Sequence, residues 1–373
     1  TYDETARLWT IVTDRGEQVT ARHFVMATGC LSTARIPDFK GLESFRGETY
    51  HTGHWPHEPV DFTGKRVGVI GTGSSAIQAI PVIAEQAAHV TVFQRTPNYS
   101  IPSRNGPMPP EYEQAWKSNY AERREEARHS RNGILQSPND VSALAVSEDE
   151  RIRVYEQRWQ DGGTYFMAAF NDLALNKESN DTAANFVRDK IRSIVRNPDT
   201  ARKLIPKGYP IGTKRLPLDQ GYFETFNRDN VALVDLRETA IERIEAAGIR
   251  MQDGTLHVLD ALVFATGFDA MTGPLNRLGI RGHGGQALAE KWAQGPQTYL
   301  GIASVGFPNL FMITGPGSPS VLGNMPTSIE QHVEWISTCL KDLEARGAHS
   351  IEPTPQAEDH WSVHVKELAL LCG

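Results

Sequence analysis

The chain has 373 residues, of which 39% are hydrophobic and 22% charged, a composition typical of a globular protein of two or three domains. Its formal net charge of −7 excludes the basic surface of a nucleic-acid-binding protein. No apolar run reaches the ~18 residues of a membrane-spanning helix, and the N-terminal sequence resembles no secretory signal. Three scattered cysteines, Cys30, Cys339 and Cys372, form no C-x-x-C pair. We therefore expect a cytoplasmic protein without a disulfide or a metal site.

The sequence up to Gly29 has the pattern of a β-meander. A strand, a turn at Asp14-Arg15-Gly16, a second strand and a third strand ending at Ala27-Thr28-Gly29 are predicted. Because a domain seldom begins within a meander, we expect the chain to be a fragment of a longer protein.

A loop of unusual composition follows, FRGETYHTGHWP, from Phe45 to Pro56. Glycine and proline are ordinary in a connection, but two histidines and a tryptophan within twelve residues are not. This density indicates a loop with a function of its own.

The clearest element of the chain is a strand, a glycine turn and a helix. Residues 67–70 are predicted as a buried strand, Gly71-Thr72-Gly73 as the turn, Ser74 to about Gln86 as a helix and 90–94 as the next strand. The first glycine of this G-x-G-x-x-A pattern turns the chain, the second lets backbone N–H groups approach a pyrophosphate, and Ala76 allows close packing. We predict a dinucleotide site, the alternative being a tight turn that binds no ligand.

The residues after the second strand indicate which dinucleotide is bound. An NAD site would place Asp or Glu there, whereas this chain has Gln94-Arg95-Thr96. A guanidinium at this place suits a 2′-phosphate, so NADP is favoured over NAD. The alternative is an ordinary surface arginine.

Helical spacing with many charge pairs fills residues 101 to 207, which predicts a helical insertion. Strands return at residues 230–236 and in LHVLDALVFATGFD, which closes on a second Ala-Thr-Gly, Ala265 to Gly267. The two triplets predict one dinucleotide domain interrupted by another, with chain crossings near Gly29 and Gly267. A further strand enters a Gly/Pro loop at 310–319, and an amphipathic helix runs from Ser328 to about Arg346.

The loop FRGETYHTGHWP fits the pattern F-x-G-x-x-x-H-x-x-x-W-P through Phe45, Gly47, His51, Trp55 and Pro56, directly before the glycine turn. In this combination the chain resembles the flavin-dependent Baeyer–Villiger monooxygenases. The stretches GTGSSAIQ, QRTPNYSIP, PKGYPIGTKRLPLDQGYFETFNRDNV, ATGFDAMTG, KWAQGPQTYLG and GPGSPSVLGNM extend the resemblance to phenylacetone, cyclohexanone and steroid monooxygenases over essentially the whole chain.

The resemblance implies an α/β fold with two Rossmann-like dinucleotide-binding domains, for FAD and NADP, and a helical insertion. The implied domains are a remainder of the FAD domain at 1–32, a first part of the NADP domain at 33–101 with the fingerprint linker 45–56, the helical insertion at 102–208, a second part of the NADP domain at 209–262 and the C-terminal part of the FAD domain at 263–373.

The implied activity is NADPH-dependent oxygenation of a ketone. NADPH reduces FAD, the reduced flavin and O2 give a C4a-peroxyflavin, and attack on a small-molecule ketone followed by migration gives an ester or lactone. A monomer that binds neither membranes nor nucleic acid is expected. A heteroatom-oxidising flavin monooxygenase, forming N- or S-oxides, and an inactive NADP-binding fragment are the alternatives.

The resemblance also assigns roles to residues. Arg215 is the implied catalytic cation, beside the developing negative charge, although an exposed basic pair at Lys214-Arg215 is the alternative from spacing alone. His51 is expected mainly to orient the junction of the domains, with direct proton transfer as the alternative; Trp55 is expected to anchor packing. The implied NADP-binding residues are Gly71, Thr72, Gly73, Ser74, Ser75, Ala76, Ile77, Gln78, Arg95, Thr96 and Lys214.

On the flavin side the resemblance implies fewer residues. Thr28-Gly29 and Thr266-Gly267 match crossing points near FAD, and Asn324-Met325 match residues that contact the flavin ring. Val321, Gly323 and Pro326 depart from the commonest relatives, which leaves the choice of ketone open. The first glycine fingerprint of the family, which cradles FAD, is expected before Thr1.

Overall fold

The computed structural model describes residues 1–130, 132–135, 139–318 and 323–371. Val321 and Cys372 lie outside the described residues, so the expectations placed on them are not addressed further. None of the described helices is long and apolar enough to cross a membrane.

The strands, numbered in chain order, are β1 (Tyr2–Asp3), β2 (Leu8–Val12), β3 (Gln18–Ala21), β4 (Phe24–Met26), β5 (Glu48–His51), β6 (Arg66–Ile70), β7 (His89–Gln94), β8 (Ile101–Pro102), β9 (Leu218–Asp219), β10 (Val231–Asp235), β11 (Ile241–Glu245), β12 (Gly248–Met251), β13 (Leu256–Val258), β14 (Ala261–Phe264) and β15 (Leu310–Met312). The α-helices are α1 (Ser74–Gln86), α2 (Pro110–Ser118), α3 (Tyr120–His129), α4 (Glu148–Asp161), α5 (Lys177–Ile194), α6 (Pro198–Leu204), α7 (Tyr222–Thr225), α8 (Gly273–Asn276), α9 (Leu288–Lys291), α10 (Met325–Ala345) and α11 (Pro355–Leu371).

These elements fall into two compact units. The first unit comprises Thr1–Thr33, Pro110–Leu135 and Phe268–Gly373, and the second comprises Ala34–Pro109 and Gln136–Gly267. The divisions after Thr33 and after Gly267 lie close to the crossings predicted near Gly29 and Gly267. The stretch predicted as one insertion, 102–208, is divided between the units, because α2 and α3 belong to the first unit.

The second unit is built on a parallel sheet. Its five strands have the order β10-β7-β6-β14-β5, and every neighbouring pair is parallel. The strands read as near-continuous apolar runs because both faces of such a sheet are covered. Val67, Val90 and Val263 are fully buried in a core shared with Ile77 and Ile80 of α1. The predicted helix from Ser74 to Gln86 is confirmed residue for residue.

The first unit holds the N-terminal meander and the C-terminal helices. β1, β2 and β3 form an antiparallel sheet, and β4 pairs in parallel with β15. Trp9 is fully buried and donates its indole N–H to the carbonyl of Pro308 (2.8 Å). Lys291 and Glu358 form a buried ion pair (2.7 Å) that ties α9 to α11. The C-terminal helix α11 was not predicted.

Candidate functional site

The carboxyl ends of the parallel strands form one straight edge in the second unit. Phe93, Ile70, Phe264 and His51 are register partners across β7, β6, β14 and β5. The residues that follow them, including the glycine turn, therefore emerge side by side. In open α/β sheets this edge is where dinucleotides bind, next to the strand at which the order reverses. Here that strand is β6, since the chain passes to β7 on one side and later to β14 on the other.

Gly71 is required by the sharp turn after β6. Its φ of +114° lies outside the range of ordinary residues, and a Cβ there would stand 2.4 Å from the carbonyl oxygen of Ala265. The Gly71 N–H is bonded to the carbonyl of Phe93 (3.1 Å) and the Ala265 N–H to that of Ile70 (2.9 Å). Three strand ends thus converge on a position that has no room for a side chain.

Gly73 differs from Gly71, because it faces open space. A Cβ on Gly73 would meet no described atom within 4 Å, and its backbone is extended. It is the N-cap of α1, which has no side-chain cap and no acidic residue in its first turn. The first N–H groups of the helix are thus available, with Ser74 and Ser75 exposed beside them. This uncapped and uncrowded helix start fits the pyrophosphate of a dinucleotide.

The other fingerprint residues support the turn. Ala76 and Ile77 are fully buried, so their side chains pack in the core. Thr72 donates its hydroxyl to the carbonyl of Thr96 (2.9 Å), and Gln78 donates its amide to that of Leu218 (3.1 Å). The turn is thereby joined to the loop after β7.

Arg95 follows β7 and is exposed. It forms no hydrogen bond or ion pair with the residues that the structure describes, so its charge is available to a ligand. The preceding Gln94 is buried and donates to the carbonyl of Lys203 (2.8 Å). The neighbouring strand β10 ends in Asp235, whose carboxylate accepts bonds from the Arg237 guanidinium (2.6, 2.9 and 3.2 Å) and from the Arg237 main-chain N–H (3.0 Å). Burial works to raise the pKa of Asp235, but the Arg237 guanidinium holds it below its usual value.

Lys214 and Arg215 are exposed in a segment that we call the basic loop, residues 211–215. The Lys214 ammonium lies 4.5 Å from the ring centroid of Tyr209. Tyr209 in turn donates its hydroxyl to the carbonyl of Pro97 (2.7 Å), two residues after Arg95. Burial raises the pKa of Tyr209 to about 12, so the phenol keeps its proton for this bond at neutral pH. Tyr209 therefore links the basic loop to the loop after β7, a role that no sequence motif had indicated.

His51 ends the edge strand β5 and is buried. Its Nδ1 accepts the Gly53 N–H (2.9 Å), so the neutral ring carries its proton on Nε2, which lies 3.4 Å from Thr266 Oγ1. Thr266 donates its hydroxyl to the carbonyl of Arg35 (2.5 Å). Burial lowers the pKa of His51; a hydrogen bond to Arg35 opposes this, and His54 reinforces it. A neutral His51 thus lies at the point where the chain enters and leaves the second unit.

Trp55 belongs to an aromatic cluster with Tyr50 and Phe62. The ring centroids of Trp55 lie 5.5 Å from Tyr50 and 6.2 Å from Phe62. These contacts favour the expected packing role of Trp55.

Of the predicted flavin-side residues, Thr28, Gly29, Asn324 and Met325 lie in the first unit, whereas Thr266 and Gly267 end the second. Thr28 and Gly29 follow β4, and Gly29 has a φ of +70° with open space at its Cβ position. Asn324 is the N-cap of α10, before Met325, and donates its amide to the carbonyl of Gly133 (2.8 Å). The contacts of these residues with a flavin stay a prediction.

Comparison with known proteins identifies the family. A family model described as pyridine nucleotide-disulphide oxidoreductase matches residues 3–145. A Baeyer–Villiger monooxygenase from Pseudooceanicola batsensis is 42% identical over 99% of this chain and 67% of its own length. The chain belongs to the flavin-dependent Baeyer–Villiger monooxygenases. This confirms the resemblance predicted from the fingerprint loop.

Two further relatives bear on fold and chemistry. A solved structure of an oxidized steroid monooxygenase bound to NADP is 52% identical with a TM-score of 0.94, covering 100% of this chain and 71% of that chain. A phenazine N-monooxygenase from Lysobacter antibioticus is 41% identical over 99% of this chain and 68% of its own length. The α/β fold with Rossmann-like domains is confirmed by these similarities.

The two glycines of the turn should respond differently to alanine. Gly73→Ala should leave the folded state intact, because its backbone is extended and the added methyl meets open space, but should weaken NADP+ binding by roughly tenfold or more by blocking the phosphate. Gly71→Ala should destabilise the protein by more than about 2 kcal/mol, through the clash with Ala265 and the strained φ. Calorimetric titration with NADP+ and denaturant unfolding measure the two effects. Normal NADP+ affinity in folded Gly73→Ala would contradict the site.

His51 should make stability depend on pH. Because burial lowers the pKa of His51, this residue binds a proton in the unfolded chain at a pH at which it is still neutral in the folded chain. The contribution of His51 to the free energy of unfolding is therefore present above the ordinary histidine pKa of about 6.5 and is lost as the pH falls below that value. The unfolding free energy of His51→Gln, measured by denaturant between pH 5.5 and 7.5, should fall less steeply on acidification than that of the wild type. The exposed His360→Gln serves as the control for loss of one histidine, and equal slopes in all three proteins would refute the assignment.

Proposed function

We propose that the site at the sheet edge holds NADP(H) for a Baeyer–Villiger oxidation that consumes NADPH and O2. One oxygen atom is inserted beside the carbonyl of a small-molecule ketone, giving an ester or lactone. The observation that carries the site is the open Gly73 at an uncapped helix start, joined through the Thr72–Thr96 bond to the loop in which Arg95 has no partner among the described residues. FAD, when bound, supplies the oxygen-activating chemistry, and Thr28, Gly29, Asn324 and Met325 are the residues proposed to lie near it.

The nucleotide is proposed to bind along the edge in two parts. The pyrophosphate lies against the N–H groups that begin α1, between Gly73 and the exposed Ser74 and Ser75. The 2′-phosphate lies at Arg95 and Thr96, with Lys214 as a second cation. The preference for NADPH over NADH rests on these two charges, because no carboxylate follows β7 to bind a ribose 2′-hydroxyl.

Arg215 is proposed as the catalytic cation. The oxidation places negative charge on the former carbonyl oxygen of the ketone, and a fixed guanidinium stabilises that charge without the risk of losing its proton. His51 is proposed to position rather than to transfer a proton, because it is buried, neutral and bonded within the segments where the chain enters and leaves the second unit. This role keeps the sheet edge in register with the incoming chain.

Heteroatom oxidation is the second candidate, and the phenazine N-monooxygenase is the relative that raises it. A substrate that carries both a ketone and a tertiary amine separates the two reactions. Ester from such a substrate supports the proposed reaction, and N-oxide alone opposes it.

A cytoplasmic location is proposed from the state of the cysteines. Cys30 and Cys339 are free thiols, which fits a reducing cytoplasm. A monomer is proposed, and light scattering should give a particle mass near the 41.3 kDa of one chain.

The Arg215 assignment is tested by separating the two half-reactions. Once retention of FAD after desalting has been verified, Arg215→Ala should lower ester formation by several powers of ten, at ~1.4 kcal/mol per tenfold. Flavin reduction by NADPH, followed by absorbance in a stopped-flow instrument, should be affected much less. Arg153→Ala, which removes an exposed arginine from α4, is the matched control. Ester formation at the normal rate by Arg215→Ala would show that another group stabilises the charge.

A further inference from the structure

We propose that Asn180, on helix α5, is a positioning residue for the basic loop and thereby for the preference for NADP over NAD. The inference rests on the proposed NADP site and extends it to a residue outside every sequence motif. It also gives the helical part of the second unit a role in cofactor selection.

The side chain of Asn180 clamps the first residue of the basic loop. Its amide nitrogen donates to the carbonyl of Ile211 (2.8 Å), and its amide oxygen accepts the N–H of the same residue (3.0 Å). A third bond runs to the carbonyl of Leu173 (2.8 Å). Asn180 is 5% exposed and Ile211 is 1% exposed, so water does not compete for these bonds. A carboxamide is suited to this double contact, since it offers a donor and an acceptor side by side.

The clamp fixes the direction in which the loop departs. Gly212 follows Ile211 at a φ of +90°, and a Cβ there would stand 2.9 Å from the Met167 side chain. Thr213 then donates its hydroxyl to the carbonyl of Pro210 (3.0 Å), which closes the turn. Lys214 comes next, over the ring of Tyr209. Lys214 is therefore three residues from the clamped Ile211, with a closed turn between them.

The same face of α5 carries a second attachment two turns further on. Arg188 donates to the carbonyl of Pro206 (3.0 Å) and to the hydroxyl of Tyr99 (2.6 Å). Tyr99 packs edge-on against Tyr209, with ring centroids 5.5 Å apart. Helix α5 thus holds both ends of residues 206–211 and touches the loop after β7, so the two proposed 2′-phosphate cations share one rigid support.

The test compares NADP+ with NAD+ binding in Asn180→Ala. With Ile211 released, Lys214 should lose its place, and the ratio of the two dissociation constants, measured by calorimetric titration, should fall about tenfold, the worth of one charge-assisted contact. NAD+ affinity should change little. If Asn180→Ala does not fold, Asn180→Ser, which keeps one hydrogen-bonding atom, is measured in the same way.

The matched control is Asn227→Ala. Asn227 also makes two main-chain bonds in the same unit, to the carbonyl of Ile194 at the end of α5 and from the Arg196 N–H (both 2.8 Å), but is not attached to the basic loop, so it controls for a general loosening of α5. Its replacement should lower stability and leave the NADP+/NAD+ ratio unchanged. A double-mutant cycle with Lys214→Ala should show that the two substitutions are not additive.

The outcomes separate this inference from the proposed function. If the wild type shows no preference for NADP+, or if Arg95→Ala does not reduce that preference, the proposed NADP site itself fails. If the wild type prefers NADP+ and folded Asn180→Ala keeps the full ratio, the positioning role of Asn180 is overturned. An equal loss in Asn227→Ala would likewise overturn it.

Discussion

The site in the second unit depends on one close approach, that of Gly71 to the carbonyl oxygen of Ala265. Strand β6 ends beside β14, and the chain must turn at once into α1 with no side chain at the corner. A Cβ 2.4 Å from that oxygen would force the two strand ends apart and would disturb the bonds from the Ala265 N–H to the Ile70 carbonyl and from the Gly71 N–H to the Phe93 carbonyl. Because α1 starts three residues later, at Ser74, the same contact also sets where its free N–H groups point.

The groups along this edge of the sheet are positioned in two different ways. The strand ends are placed by the register of a parallel sheet, which brings His51, Phe264, Ile70 and Phe93 into one row. The charged groups lie on loops and depend instead on side-chain bonds to the main chain. Tyr209 ties Lys214 to Pro97, and Asn180 holds Ile211. A backbone frame therefore positions the proposed pyrophosphate site, whereas the proposed 2′-phosphate site depends on these side-chain contacts.

The elements of the second unit could be predicted from the sequence wherever the pattern of neighbouring residues determines the structure. The turn at Gly71 and the bounds of α1 follow from glycine spacing and helix periodicity, and the strands around residue 264 follow from their apolar runs. Strands β11 and β12 were not predicted, because they are short and alternate weakly, whereas β13 lies within the predicted stretch LHVLDALVFATGFD. Helices α2 and α3 show the same helical pattern rich in charged residues as α4 to α6, so the sequence does not reveal that they belong to the first unit. Asn180 lies outside any motif, since its partner is main chain thirty-one residues away.

Among the residues that the structure describes Arg95 has no ion-pair partner, and the carboxylates at and just after the end of the neighbouring strand β10 are engaged elsewhere. Asp235 is the register partner of Gln94 and would be the nearest acid at this end of β10, but Arg237 compensates its charge. Glu238 is likewise bound to Lys203 (2.8 Å). The charge of Arg95 at the end of β7 is therefore not neutralised by these two carboxylates, which fits the dianionic 2′-phosphate proposed for this place.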